Sequence, residues 1–338
     1  MSIQDNTELK SGVIIDNVFY PRRNLSSGTL RIILSSICNF SCKYCFSEGE
    51  PSGYRSLTPE QIRKVVNVGR GFGIDKIKLS GGEPFLYPQL EEVLCVLKEE
   101  GIPYIDITTN ASILSEKEIN LINKYNVNAI TISIDSLNPD LFDDLTNSNS
   151  FESVFENLEF AIKSFKGKVR LNSIVFDYDL ENYLQILNFC KLNSLGLRFV
   201  EPTFIEGKEI TYSKEGYNRL VSFLTSNSKE IISSDCSSVK YYNIYNSWIT
   251  TMDSLCDNFH CKDCLNYMYL RLSSEGKLKP CLYRTDTEIK IDFNDLDSIN
   301  KGFIRAINLV GVGADKKEAI KKLENNLKCN KGKKLNVN

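Results

Sequence analysis

From Gly28 onward, short apolar runs alternate with segments whose apolar residues recur every three or four positions. Gly28–Ser36 (GTLRIILSS), Lys76–Ser80, Tyr104–Thr109, Ala129–Ile134, Val169–Phe176 and Leu197–Glu201 have the length and β-branched content of strands. Pro59–Phe72, Gln89–Glu100, Glu116–Tyr125, Phe151–Phe165 and Leu180–Leu192 have helical spacing. In the first of these, Thr58 stands at the N-cap and Ile62, Val65 and Val66 fall on one face. Six strands alternating with helices predict an α/β fold of βα units around a parallel sheet. Six units fall short of the eight that close a barrel, so the pattern predicts a partial (βα)6 TIM-like barrel, open on one side.

The barrel is expected over residues 28–205, preceded by a polar, irregular N-terminal arm at 1–27 and followed by a C-terminal region at 206–338. That last region must cover the barrel's opening or stand beside it. It reads as a helix at Lys214–Ser226 with a polar connection to 250, a Cys-rich hairpin at 251–283 and a lysine-rich, partly helical tail. The tail's last ten residues are expected to fray.

Composition narrows the function. With 42% hydrophobic and 25% charged residues the chain is neither disordered, collagenous nor coiled-coil, and 338 residues suit one large domain or a large and a small one. No apolar run reaches about 18 residues, and the first twenty lack a basic start, which predicts a cytoplasmic protein, neither membrane-spanning nor exported. A net charge of −2 lacks the basic excess that nucleic-acid binding asks for. One histidine, His260, excludes a Ser-His-Asp machine and any multi-histidine metal site. The 11 cysteines, an odd number in a chain expected not to be exported, then point to reduced thiols or metal ligands.

Three of them, Cys38, Cys42 and Cys45, share one loop after the first strand with spacing C-x3-C-x2-C. Three thiolates on one loop can hold three irons of a [4Fe–4S] cubane and leave the fourth iron open to a chelating molecule. A structural zinc knot would need a fourth Cys or His, and none lies nearby in sequence. With Tyr44 just before the last cysteine, the loop resembles the signature of radical S-adenosylmethionine (radical SAM) enzymes. The resemblance implies that SAM chelates the open iron and is cleaved there to a 5′-deoxyadenosyl radical.

Function in α/β barrels gathers at the C-terminal ends of the strands. The second strand ends in Gly81-Gly82-Glu83-Pro84, where two glycines permit close backbone approach and Glu83 can accept from an ammonium. It resembles the GGEP motif that holds the methionine amino group of SAM. Later strands end in Thr108-Thr109-Asn110 and Ser133-Ile134-Asp135. Arg31, Lys76, Lys78, Arg170 and Arg198 sit on strands that converge on one mouth, which suits an anionic, phosphate-bearing substrate.

A second group, Cys256, Cys261, Cys264 and Cys281, is a metal site in either of two readings, zinc or a second [4Fe–4S] cluster. The remaining cysteines, Cys95, Cys190, Cys236 and Cys329, are read as packed or incidental thiols. Together, LRIILSSICNFSCKYCF, KIKLSGGEP, ITTN, ISIDSLNPDLF, VRLNSIV, LRFVEP and LRLSSEGKLKPCL resemble the MoaA family, the GTP 3′,8-cyclases of molybdenum-cofactor biosynthesis, over about residues 28–284. By that resemblance Arg31, Lys78, Thr108, Arg170 and Arg271 contact GTP, with Arg31 and Arg271 also counted as catalytic. Tyr44, Gly81, Gly82, Glu83, Ser133 and Thr203 bind SAM, and Cys261, Cys264 and Cys281 hold an auxiliary [4Fe–4S] cluster. The partners implied are GTP and an electron-donor protein, with a homodimer left open. Tyr269 stands where the family has the first of two paired arginines, Cys256 could close the auxiliary cluster, and the family's glycine-rich end is not found in Lys333–Asn338. Two other classes stay open: a radical SAM enzyme with an auxiliary cluster that modifies a ribosomal peptide or another small molecule, and a non-catalytic iron–sulfur carrier. The last is disfavoured by the GGEP motif and the three-ligand spacing.

Overall fold

The computed structural model describes residues 28–45, 55–177, 179–202, 214–233, 239–253, 269–282 and 285–310, with the backbone of two short strands, β1 (Gly12–Ile15) and β2 (Val18–Pro21). These two pair antiparallel as a hairpin, so part of the segment read as irregular is a small sheet.

The predicted alternation is present. Strands β3 (Gly28–Ile33), β4 (Ile74–Ser80), β5 (Tyr104–Thr109), β6 (Ala129–Ser133), β7 (Lys168–Ile174) and β8 (Gly196–Val200) run parallel in chain order. Helices α1 (Pro59–Gly71), α2 (Leu90–Glu99), α3 (Glu116–Lys124), α5 (Phe151–Ser164) and α6 (Leu180–Leu192) cross between them. Each terminus lies within three residues of its expected place, the largest difference being the end of β3 at Ile33. Thr58 caps α1 in a reciprocal box, accepting from the Gln61 amide while the Gln61 side chain accepts from the Thr58 amide. One helix was not foreseen: α4 (Pro139–Thr146) starts at Asn138, whose side chain accepts from the Leu141 amide, and ends at Asn147 in the left-handed region.

The region read as a helix and polar connection holds α7 (Glu215–Asn227) followed by three strands, β9 (Glu230–Ser233), β10 (Val239–Ile244) and β11 (Ser247–Met252). Further on come β12 (Tyr269–Leu272), β13 (Lys277–Lys279), β14 (Ile289–Lys290) and α8 (Leu296–Leu309). These strands extend the sheet at both edges. β11 pairs parallel with β8 and β12 parallel with β3, giving the order β14-β13-β12-β3-β4-β5-β6-β7-β8-β11-β10-β9. The two outermost strands do not pair with each other, so the barrel is partial, and the described strands of the C-terminal region lengthen its sheet at both edges.

Alternation along each strand sorts the side chains. Leu30, Ile32, Ile77, Leu79, Ile105, Ile107, Ile130, Ile132, Leu171, Leu197 and Phe199 join the helices in one buried apolar cluster. The other face carries Arg31, Lys78, Asp106, Thr108, Thr131, Ser133, Arg170 and Arg198, and β12 adds Tyr269 and Arg271. A polar inner face at the heart of a parallel sheet needs ligands or ion pairs to be stable.

Candidate active site

The cysteine loop leaves β3 and is clamped at its base by the turn after β4. The Gly82 amide donates to the Ser35 carbonyl (2.9 Å) and the Glu83 amide to the Ile37 carbonyl (2.7 Å), one residue before Cys38. Only glycine permits this approach: a Cβ on Gly82 would lie 1.8 Å from the Ile37 carbonyl oxygen, and Gly81 sits at φ +145° with a Cβ position 2.4 Å from that of Ser35. The two glycines thus fix where the first cysteine begins. Cys42 and Cys45 are joined by a turn, with the Cys45 amide donating to the Cys42 carbonyl (3.0 Å), and the Phe40 amide points at the Cys38 sulfur (3.4 Å).

Burial pushes the Cys42 thiol up to about 12, with the neighbouring Cys45, Asp135 and Cys38 adding to the rise. Cys38 is raised for the same first reason. Thiols raised in this way become thiolates only beside strong positive charge, and three thiols on one loop are the donor set an iron cluster wants. Among the described residues no three His, Cys, Asp or Glu side chains close around a single ion. A cubane asks for less, namely one thiol at each of three corners.

Beside the loop, Glu83 is 1% exposed. Its carboxylate accepts from the Thr109 hydroxyl (2.7 Å), the Asn110 amide (2.7 Å) and the Phe85 amide (3.2 Å), tying the end of β4 to the end of β5. Burial pushes it up to about 7 against those bonds. Asn110 also reaches Asn39 in the cysteine loop through its side-chain amide (3.0 Å). On the other side, the Tyr44 hydroxyl donates to Asp135, which also accepts from the Ile174 amide (2.6 Å). Burial pushes Asp135 up to about 6 and Tyr44 well above its ordinary range. Ser133 ends β6 opposite Asn172 on β7, and Thr108 lies opposite Thr131. Thr203 falls outside the described residues.

The cations form the second half of the site. Parallel pairing sets Arg271, Arg31 and Lys78 level with one another on β12, β3 and β4, with Asp106 next in line on β5. Adjacent strands lie about 5 Å apart. At that spacing two unit charges repel by about 3 kcal/mol at an effective dielectric of about 20. Asp106 offsets part of this: its carboxylate meets Arg170 Nη1 at 3.2 Å and Lys78 Nζ at 3.8 Å and accepts from Thr131 Oγ1 at 3.1 Å. Arg170 also donates to the Tyr104 hydroxyl, and Arg31 Nε donates to the Tyr269 hydroxyl (2.8 Å). Arg198 is half-buried, and its Nε, shielded from solvent, has no hydrogen-bond partner among the described residues. Burial pushes both Arg198 and Lys78 below their ordinary ranges. A face that crowds cations and leaves a buried guanidinium nitrogen unsatisfied is built for an anion.

Lys76 lies on β4 opposite Tyr104. Asp106 and Tyr104 were not singled out from the sequence, although an acid in the run YIDITT, two places before Thr108, falls on that residue's face. Of the second cysteine group only Cys281 lies among the described residues, just past β13; Cys256, His260, Cys261 and Cys264 fall outside them.

The family model described as the Radical SAM superfamily matches residues 32–190. A protein of Sulfurisphaera tokodaii named "Probable GTP 3′,8-cyclase" is 32% identical over 266 residues, 78% of this chain and 83% of its own length. Its namesake in Methanocaldococcus jannaschii is 30% identical over 292 residues, 83% and 94% of the two chains. The GTP 3′,8-cyclase of Alkaliphilus oremlandii is 30% identical over 273 residues, 75% and 80% of the two. Among solved structures, Streptococcus suis SuiB bound to S-adenosylmethionine superposes with a TM-score of 0.63 at 18% identity, over 82% of this chain and 67% of that one. The enzyme anSMEcpe with bound AdoMet gives 0.57 at 16% identity, over 84% and 82%. Those two likenesses concern the fold. With identity near one third sustained over four-fifths or more of relatives that share a name, the chain belongs to the radical SAM superfamily and, within it, to the GTP 3′,8-cyclase family.

Proposed function

We propose that this radical SAM enzyme acts on GTP, joining C3′ to C8 to give 3′,8-cyclo-7,8-dihydro-GTP for molybdenum-cofactor biosynthesis. The observation that carries the substrate is the level row of Arg271, Arg31 and Lys78 facing the barrel interior, with the shielded, unpartnered Nε of Arg198 added to it. A triphosphate is the anion whose charge matches such a row. Arg31, Lys78, Arg170 and Arg271, with Arg198 and Thr108, hold the phosphates, so that the ribose is presented to the cysteine loop.

Cys38, Cys42 and Cys45 are the residues that hold a [4Fe–4S] cluster. Tyr44, Gly81, Gly82, Glu83, Ser133 and Thr203 are those that hold SAM, with the Glu83 carboxylate suited to the methionine ammonium. Bound there, cluster and SAM supply a carbon radical able to remove one hydrogen atom from the substrate. What the chain supplies is position: a clamped loop at one end of the inner face and fixed cations at the other, which set one C–H bond near the radical's origin and keep water out. Cys261, Cys264 and Cys281 are assigned to an auxiliary cluster, and a reducing protein is the expected partner.

The test is anaerobic. The reconstituted protein is given reductant, SAM and GTP, and 5′-deoxyadenosine and GTP are followed by mass spectrometry. Loss of GTP in step with 5′-deoxyadenosine supports the reading, whereas SAM cleavage with GTP untouched assigns the scaffold another substrate. Cys42→Ala should abolish 5′-deoxyadenosine formation, and its retention would overturn the cluster assignment.

A further inference from the structure

Tyr269 stands on β12 two residues before Arg271, beside the cation row, and its contacts differ in kind from those of its neighbours. Its hydroxyl accepts from Arg31 Nε at 2.8 Å. The Arg271 guanidinium carbon lies 4.9 Å from its ring centroid, and Lys78 Nζ lies 6.0 Å from it. One phenol therefore touches three cations carried by three adjacent strands. Across the row, Arg170 and Lys78 face the carboxylate of Asp106.

The contrast is one of charge. A carboxylate orients a guanidinium and cancels its charge, whereas the oxygen of a protonated phenol orients it through one hydrogen bond without a full opposing charge. A ring face also draws cations toward it without neutralising them. We infer that Tyr269 is a positioning residue for the phosphate end of the substrate: it fixes the plane of the Arg31 guanidinium and gathers Arg271 and Lys78 around one point. It thereby seats the anion at the β12–β3–β4 side of the inner face, away from Asp106. This inference rests on the nucleotide reading above.

The experiment compares reconstituted wild type with Tyr269→Phe, which keeps the ring and removes only the acceptor. Affinities for GTP, GDP, GMP, guanosine and inorganic tripolyphosphate are measured by calorimetry, with iron content and thermal midpoint as controls of integrity. The expected result is about a tenfold loss for GTP and for tripolyphosphate, a loss that shrinks as phosphates are removed and vanishes for guanosine, with iron content unchanged. Tyr269→Gln, whose side-chain carbonyl can again accept from Arg31, should recover part of the loss. Equal affinities for GTP in wild type and Tyr269→Phe would overturn the inference while leaving the nucleotide reading standing. A loss of equal size for GTP and guanosine would also overturn it, because it would mark a packing role. A wild type that binds neither GTP nor tripolyphosphate would overturn both.

Discussion

At the scale of single residues, the site depends on two positions where the backbone leaves no choice and one where burial sets the charge. Gly82 lies against the Ile37 carbonyl so closely that a methyl group must displace the cysteine loop. Gly82→Ala should therefore cost roughly 3 kcal/mol in urea unfolding and lower the iron bound on reconstitution. A variant that folds and loads iron like the wild type would refute the clamp. Gly81, at positive φ beneath Ser35, is the second such position. Glu83 shows the third effect. Its carboxyl titrates near 7 in the folded chain against 4.5 as the ordinary value, because burial outweighs the three hydrogen bonds it accepts. The folded state then holds a proton that the unfolded state has released, so this group's contribution to stability falls as pH rises from about 4.5 to about 7. The change amounts to about 3 kcal/mol at about 1.4 kcal/mol per pKa unit. Glu83→Gln should flatten that slope, read by urea unfolding at pH 5 and pH 7.5. An identical slope would place the titration elsewhere. Adding SAM to the wild type should flatten it too, since an ammonium beside the carboxylate favours the charged form.

At the scale of elements, the C-terminal helix is bound into the barrel wall. Phe303 of α8 stacks on Phe72 at the end of α1 with centroids 5.4 Å apart and touches the place where Gly69 lacks a side chain. Ile299, Phe303 and Ala306 are buried in the same cluster as the barrel helices. Phe303→Ala should cost about 3 to 5 kcal/mol with the denaturant slope unchanged, and a loss below about 1 kcal/mol would mean that α8 is not part of the core. Sequence periodicity located the six barrel strands because one face of each is uniformly apolar. It passed over α4, an eight-residue helix whose Asn138-Pro139 start also reads as a turn. It also passed over β9–β11; in β10 the polar Lys240, Tyr241 and Asn243 outweighed the buried alternation of Tyr242 and Ile244. The pairing of β12 with β3 joins segments about 240 residues apart, and no local pattern carries it. The same division holds within the site. The cysteine spacing and the Gly-Gly turn each lie in one stretch of chain and could be read, whereas the meeting of Asp106 with Lys78 and Arg170 exists only once three strands are in register.

At the scale of the molecule, the cation-lined face is a product of the whole sheet. Arg31 and Lys78 come from the first two barrel strands, Arg198 from the last and Arg271 from a hairpin far along the chain. The chain as a whole carries a net charge of −2, so this face is a local concentration of charge and no reflection of the composition. The repulsion among its cations opposes docking of β12 beside β3, and a bound polyanion relieves it. Nucleotide binding and sheet assembly are therefore linked: whatever binds the assembled face alone stabilises it by mass action. With GTP at 100 times its dissociation constant, the gain is about 2.7 kcal/mol. For a chain of this size that raises the thermal midpoint by several degrees. Arg271→Ala removes the cation that only the hairpin contributes. It should weaken GTP binding about tenfold to a hundredfold and, at the same GTP concentration, cut the thermal shift by about 1.3 to 2.3 kcal/mol in equivalent stability. In the absence of nucleotide the same variant should melt no earlier than the wild type, because it also removes one source of repulsion from the row. A variant that keeps the full GTP-dependent shift would show that the phosphates lie elsewhere, and one that melts early without ligand would make Arg271 a structural strut.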